Sequence, residues 1–145
     1  FNDKTNLNDP ALKMVALDGD NPVYIAKSDF PNAQTLILPL MTDFSQNMVS
    51  VADKKADFTI ADAYTFGEYN KHNPGKLKIA APNNPIRIYP ASFVFKAEDI
   101  VFRDAVNAAL DELTLDGTIP RIMSKYASYP NVFYPATTPY NRPSK

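Results

Sequence analysis

Cysteine is absent from the 145 residues, which removes a disulfide scaffold, a thiolate metal site and a cysteine nucleophile together. Histidine is nearly absent. His72 is the single one, and beside Asn73-Pro74 it reads as surface loop, with no second His or Cys nearby to make a metal site or a Ser/His pair. No G-x-G-x-x-G follows the first apolar run, and there is neither a P-loop nor a G-x-S-x-G. Charge of one sign is also missing as a block: 15 basic and 16 acidic residues are interspersed and the formal net charge is -1. That distribution gives no footprint for nucleic acid or an anionic membrane surface. No apolar run approaches the roughly 20 residues that span a bilayer, and Phe1-Asn2-Asp3-Lys4 is no signal-peptide h-region. The expectation is a soluble chain whose export signal, if it had one, is already removed.

What is present suits a folded α/β protein. Hydrophobic residues make up 45% of the chain, enough for one real core. Residues 1–12 are polar and turn-rich and read as a connector. Lys13-Met14-Val15-Ala16-Leu17 is a buried strand running into the tight turn Asp18-Gly19-Asp20-Asn21-Pro22, with Asn21 suited to cap a helix that Pro22 opens. Gln34 to Leu38 reads as a second strand. Asp43 with Gln46 then suits the start of a helix carrying Phe44, Met48, Val51 and Ala52 on one face, to about Lys55. A third strand, Phe58 to Ala61, leads into a helix opened by Asp62-Ala63-Tyr64 that stops before Asn73-Pro74-Gly75. This βαβαβα order argues for a parallel sheet flanked by helices, with ligand-facing loops at the carboxyl ends of its strands.

The pattern changes at Leu77. Leu77 to Ala80 and Ile86 to Tyr89 read as strands around a Pro/Asn-rich segment, and Ser92 to Lys96 continues extended. Phe102, Val106, Ala109, Leu110 and Leu113 mark one face of a helix ending at Asp116-Gly117, where Gly117 suits the left-handed position. Thr118 is placed to cap a last helix, Ile119 to Tyr126, and the proline- and tyrosine-containing tail to Lys145 has no period.

Several runs carry a resemblance when taken in order. They are Ala56-Asp57-Phe58-Thr59-Ile60-Ala61-Asp62, Asn73-Pro74-Gly75-Lys76-Leu77-Lys78, Ile86 to Phe95, and Val106-Asn107-Ala108-Ala109-Leu110-Asp111-Glu112-Leu113 with Asp116-Gly117-Thr118-Ile119 and Lys125-Tyr126. Over roughly residues 13–126 the chain resembles the extracellular solute-binding proteins of the amino-acid transport family, the type 2 periplasmic-binding-protein fold. The resemblance implies two α/β lobes joined by crossover strands, with a solute held between them and no catalytic signature. It implies that 13–81 is the second lobe, 82–90 the hinge or crossover, 91–126 the C-terminal part of the first lobe and 127–145 a tail. The N-terminal half of the first lobe is then missing, so the chain is a fragment, one part of a cleaved protein, or a reduced form. A second chain, or a dimer mate, would supply the missing strands.

The resemblance also assigns residues. Asp62 stands at the position of the family's acid that receives the solute's ammonium, and it equally suits a helix cap. Gly19-Asp20-Asn21 stands where the family binds the solute's carboxylate with Gly followed by Thr or Ser; the carboxylate of Asp20 disfavours an anion there and favours a more cationic solute. The plainer reading of that turn is an acid set against the helix dipole. Tyr24 and Tyr64, one turn into their helices, suit either stacking on a solute or ordinary packing. Arg87 falls in the crossover, as a partner for an acid or as an exposed charge. The implied partners are a small amino-acid-like solute and a membrane ABC permease; the location is periplasmic or extracellular, and no cofactor or metal is expected. A ligand-sensing receptor domain and a dehydratase using Asp20 with Asp62 are the other roles this fold carries, and the reading adopted is a binding protein, not an enzyme.

Overall fold

The structure, a computed structural model, describes residues 7–134. Its chain divides between Asn84 and Pro85 into two compact units. In the first, β1 (Lys13–Leu17), α1 (Asn21–Asp29), β2 (Gln34–Leu38), α2 (Ser45–Ala52), β3 (Phe58–Thr59) and α3 (Ala63–His72) alternate. The three strands form a parallel sheet of order β2-β1-β3. The α/β class and the helix-flanked parallel sheet expected from the sequence are therefore present.

Composition explains the order. Met14 to Leu17 are all buried, as a continuous apolar strand must be when it lies between neighbours and beneath helices on both faces. β2, with Gln34, Thr35 and Ile37 exposed, takes an edge. β3 pairs through only two residues, Met14 with Phe58 and Val15 with Thr59. Its start is fixed from outside: the Asp57 N–H donates to Lys13 O at 2.7 Å, and Asp57 Oδ2 accepts from Lys13 N at 2.8 Å. Around the sheet, Ile25 and Ala26 of α1, Phe30 just past it, Met48 of α2, and Ala56 and Phe58 at β3 complete the core, with the Phe30 and Phe58 rings edge-to-face at 5.7 Å. Leu7, within the segment expected to be a connector, is buried in this core, and Asn8 and Pro10 accept hydrogen bonds from Asn32 and Gln34. Asn47 and Ser50 are the polar residues buried in this interior, and Asn47 is fully buried with neither side-chain polar atom hydrogen-bonded.

Local boundaries differ from expectation in instructive ways. Asp20, not Asn21, caps α1, its Oδ1 accepting from Asn21 N at 2.7 Å; the carboxylate is as good a cap as the amide and lies where the chain is still extended. Asp43 does not cap α2, which starts at Ser45 without a side-chain cap; its Oδ1 instead accepts from Ser45 N at 2.8 Å in the turn before the helix. α2 also ends at Ala52, because Lys54 turns to a left-handed φ of 61°. His72, expected in a loop, is the last residue of α3.

The second unit contains α4 (Ile100–Leu115) and α5 (Thr118–Tyr126), joined through Gly117 at a φ of 78°. Asp116 Oδ1 accepts from Thr118 N at 2.7 Å across that joint, so Asp116, not Thr118, provides the side-chain bond at the start of α5. Neither Leu77–Ala80 nor Ile86–Tyr89 forms a strand. A strand exists only as half of a ladder, and neither segment has a ladder partner among the described residues. Of the expected tail, residues 135–145 lie outside the described residues. No helix among those described is long and apolar enough to cross a membrane.

Candidate functional site at the carboxyl edge of the sheet

The order β2-β1-β3 has a geometric consequence. From β1 the chain passes through α1 to one side, and from β2 it passes through α2 back across β1 to the other side. Between the carboxyl ends of β1 and β3 the connections diverge, which is the switch point at which open α/β sheets leave a crevice for ligands. Val15 is level with Thr59, so continuing the register sets Asp18 level with Asp62. The Gly19-Asp20-Asn21 turn and the Asp62-Ala63-Tyr64 helix start thus both follow the carboxyl ends of neighbouring strands, β1 and β3.

The turn after β1 is shaped by backbone bonds. The Asp18 N–H donates to Leu38 O at 2.8 Å, prolonging the sheet by one residue, and the Asp20 N–H donates to Leu17 O at 3.3 Å. Closing that loop requires the positive φ of 75° at Gly19, which glycine adopts without strain. Asp20, half-buried, then caps α1. After β3, Asp62 caps α3 with both oxygens: Oδ1 accepts from Thr65 N at 2.8 Å and Oδ2 from Thr65 Oγ1 at 2.7 Å. The cap is thus real, but each carboxylate oxygen accepts more than one bond, and Asp62 is exposed.

Electrostatically the edge is one-sided. Asp18, Asp20 and Asp62 enter no ion pair among the described residues. The N-termini of α1 and α3, which would otherwise attract an anion, are each occupied by one of these carboxylates. The edge is built to accept hydrogen bonds from a cationic donor. Tyr24 and Tyr64 lie in the first turns of α1 and α3, 63% and 52% exposed. Arg87 belongs to the second unit, where its Nη1 donates to Ile86 O at 2.7 Å.

A second concavity, which sequence reasoning missed, lies between α2 and α3, an open cleft of about 430 Å³. Met48, Val49 and Tyr69 give it an apolar floor, and Asp43, Glu68 and His72 a polar rim. His72 Nδ1 is 3.0 Å from Glu68 O; a carbonyl only accepts, so Nδ1 carries the proton. The signal was available in the helical spacing of Thr65, Glu68 and His72, but only the pairing of α3 with α2 turns it into a cleft. Hydrogen bonds from the Ser45 hydroxyl and then its N–H hold the Asp43 carboxyl below the ordinary carboxylate range. Among the described residues no group of three His, Asp or Glu side chains is placed to hold a metal ion. No protein-family model, curated protein or solved structure matches the chain.

Proposed function

We propose that the chain is the second half of an extracytoplasmic solute-binding protein that takes a small amino-acid-like solute for an ABC-type permease, with the periplasmic-binding-protein-like type 2 fold completed by a second chain. What supports this reading is that Asp20 and Asp62, singled out by the family resemblance, follow the carboxyl ends of the neighbouring parallel strands β1 and β3, the edge at which such sheets bind ligands. Asp62 orients an ammonium group through charge-assisted hydrogen bonds, and the exposed rings of Tyr24 and Tyr64 flank the solute's apolar part. Since both helix N-termini are occupied by carboxylates, the solute binds through its cationic end, which favours diamines, polyamines and basic amino acids over dicarboxylates. Binding, not turnover, is the activity this supports, because Asp20 and Asp62 are held as helix caps.

A thermal-shift screen of the intact chain against amino acids, polyamines and dicarboxylates tests the reading. Stabilisation by ammonium-rich solutes and none by dicarboxylates is expected, since a ligand that binds only the native state raises its stability by mass action. A chain that responds to no amine, or to dicarboxylates alone, contradicts it.

A further inference from the structure

The second unit lacks something that its sequence supplies half of. None of its described residues is buried. From Arg87 to Lys96 the chain runs without helix, turn or bend. No backbone hydrogen bond joins Ile88–Phe95 to any described residue. Between Ser92 and Lys96, Phe93-Val94-Phe95 is apolar at consecutive positions, the pattern of a strand covered on both faces. One side of that requirement is met: the Phe95 ring packs edge-to-face on Phe102 of α4 at 5.5 Å. Phe93 nonetheless stays 69% exposed and Val94 95% exposed.

The sequence around Val94 reads almost the same in both directions. Ala91 and Ala97, and Phe93 and Phe95, are equidistant from it, with Ser92 opposite Lys96. In an antiparallel pair related by a two-fold axis through Val94, each residue meets the one at the same distance on the other side. Phe93 of one copy then lies across from Phe95 of the other, on the face where Phe102 sits, and the two Val94 residues meet on the axis. The pattern is self-complementary, and this singles out the partner. We infer that the chain forms a two-fold homodimer by antiparallel pairing of Ser92–Lys96 with the same segment of a second copy, closing an aromatic cluster of Phe93, Phe95 and Phe102 from each.

Tyr89, Phe93, Val94, Ile100, Val101 and Phe102 are each more than half exposed. Cross-strand aromatic pairs add stabilisation beyond area, and ladder bonds satisfy the idle backbone groups. The inference goes beyond the solute-binding reading and does not depend on it, since every readout below omits solute.

Sedimentation equilibrium of the whole chain at micromolar concentration is expected to give twice the 16.1 kDa chain mass. Val94→Lys sets two ammonium groups against each other on the axis, where like charges repel. It is expected to weaken the dimer at least tenfold while leaving the far-ultraviolet circular dichroism unchanged, because the exposed Val94 side chain packs on little within its own copy. The absence of native cysteine allows a test of register. Val94→Cys is expected to cross-link on mild oxidation, its Cα being about 5 Å from its mate. Ser92→Cys is expected not to, the two positions lying roughly 13 Å apart. A monomeric wild type, a dimer indifferent to Val94→Lys, or equal cross-linking at both positions overturns the inference.

Discussion

Replacing Met14 by Ala probes the order of the sheet. Met14 has no exposed surface and pairs with Thr35 on one side and Phe58 on the other. The substitution removes about three heavy atoms of side chain at about 0.8 kcal/mol each. A rigid cavity of roughly 70 Å³ would add up to about 1.7 kcal/mol, less whatever the surroundings collapse. The expected loss is about 3 kcal/mol, a large share of the stability of a small unit. It should lower the melting temperature, followed by circular dichroism on the intact chain, by more than about 10 °C. Ile37→Ala is the matched control. Ile37 lies on β2, an edge strand, and is 42% exposed, so its truncation should cost about 1 kcal/mol. Equal losses at the two positions, or less than about 1 kcal/mol at Met14, would refute a β1-centred sheet.

Other consequences are smaller. Thr65→Val removes the hydroxyl bond to Asp62 while keeping the backbone cap, and should cost about 0.5–1 kcal/mol in urea denaturation. Gly19→Ala forces a Cβ onto a φ of 75° and should cost about 1 kcal/mol by the same measurement, although nothing crowds the added atom. The carboxyls of Asp43, held down chiefly by the Ser45 hydroxyl, and of Asp116, held down chiefly by the Thr118 N–H, titrate lower folded than unfolded. Their contribution to stability is present above the unfolded-state value and is lost as pH falls through the folded-state value. Asp43→Asn should lower the melting temperature near neutrality and leave it unchanged once pH has fallen below the folded-state value, so that the profile is flatter across that acid range.

Much of the first unit was legible because its signals are local. The apolar run Met14–Leu17, bounded by the Asp18–Pro22 turn, could hardly be anything but a buried strand. Asp62 before Ala63 marked a helix start that the structure supports with two bonds from Thr65. Where the reading went astray, pairing at a distance decided the outcome. Leu77–Ala80 and Ile86–Tyr89 have strand composition, but they find no ladder partner and stay irregular. At α1, Asp20 and Asn21 are both strong caps, and composition does not rank two such neighbours; the extended backbone at Asp20 does. The cleft between α2 and α3 was invisible because it belongs to two helices, neither of which is unusual alone. At the candidate site the identities of Asp20 and Asp62 were readable in the sequence, and that they follow neighbouring strands came from the β1–β3 pairing.

The central claim is that Asp62 receives a cationic solute at the sheet's carboxyl edge, and Asp62→Asn tests it most directly. An alanine there would also remove the cap, at about 1 kcal/mol of stability. Asparagine keeps an oxygen for Thr65 N and removes the charge, while its amide N–H can donate to the Thr65 hydroxyl in place of the bond that Oδ2 accepts. Isothermal titration with the solute that gives the largest thermal shift should show binding weakened by about 1.5–3 kcal/mol, tenfold or more, with the unliganded melting temperature within a degree or so of wild type. Unchanged affinity in Asp62→Asn would contradict the account and leave Asp62 as the cap of α3 alone.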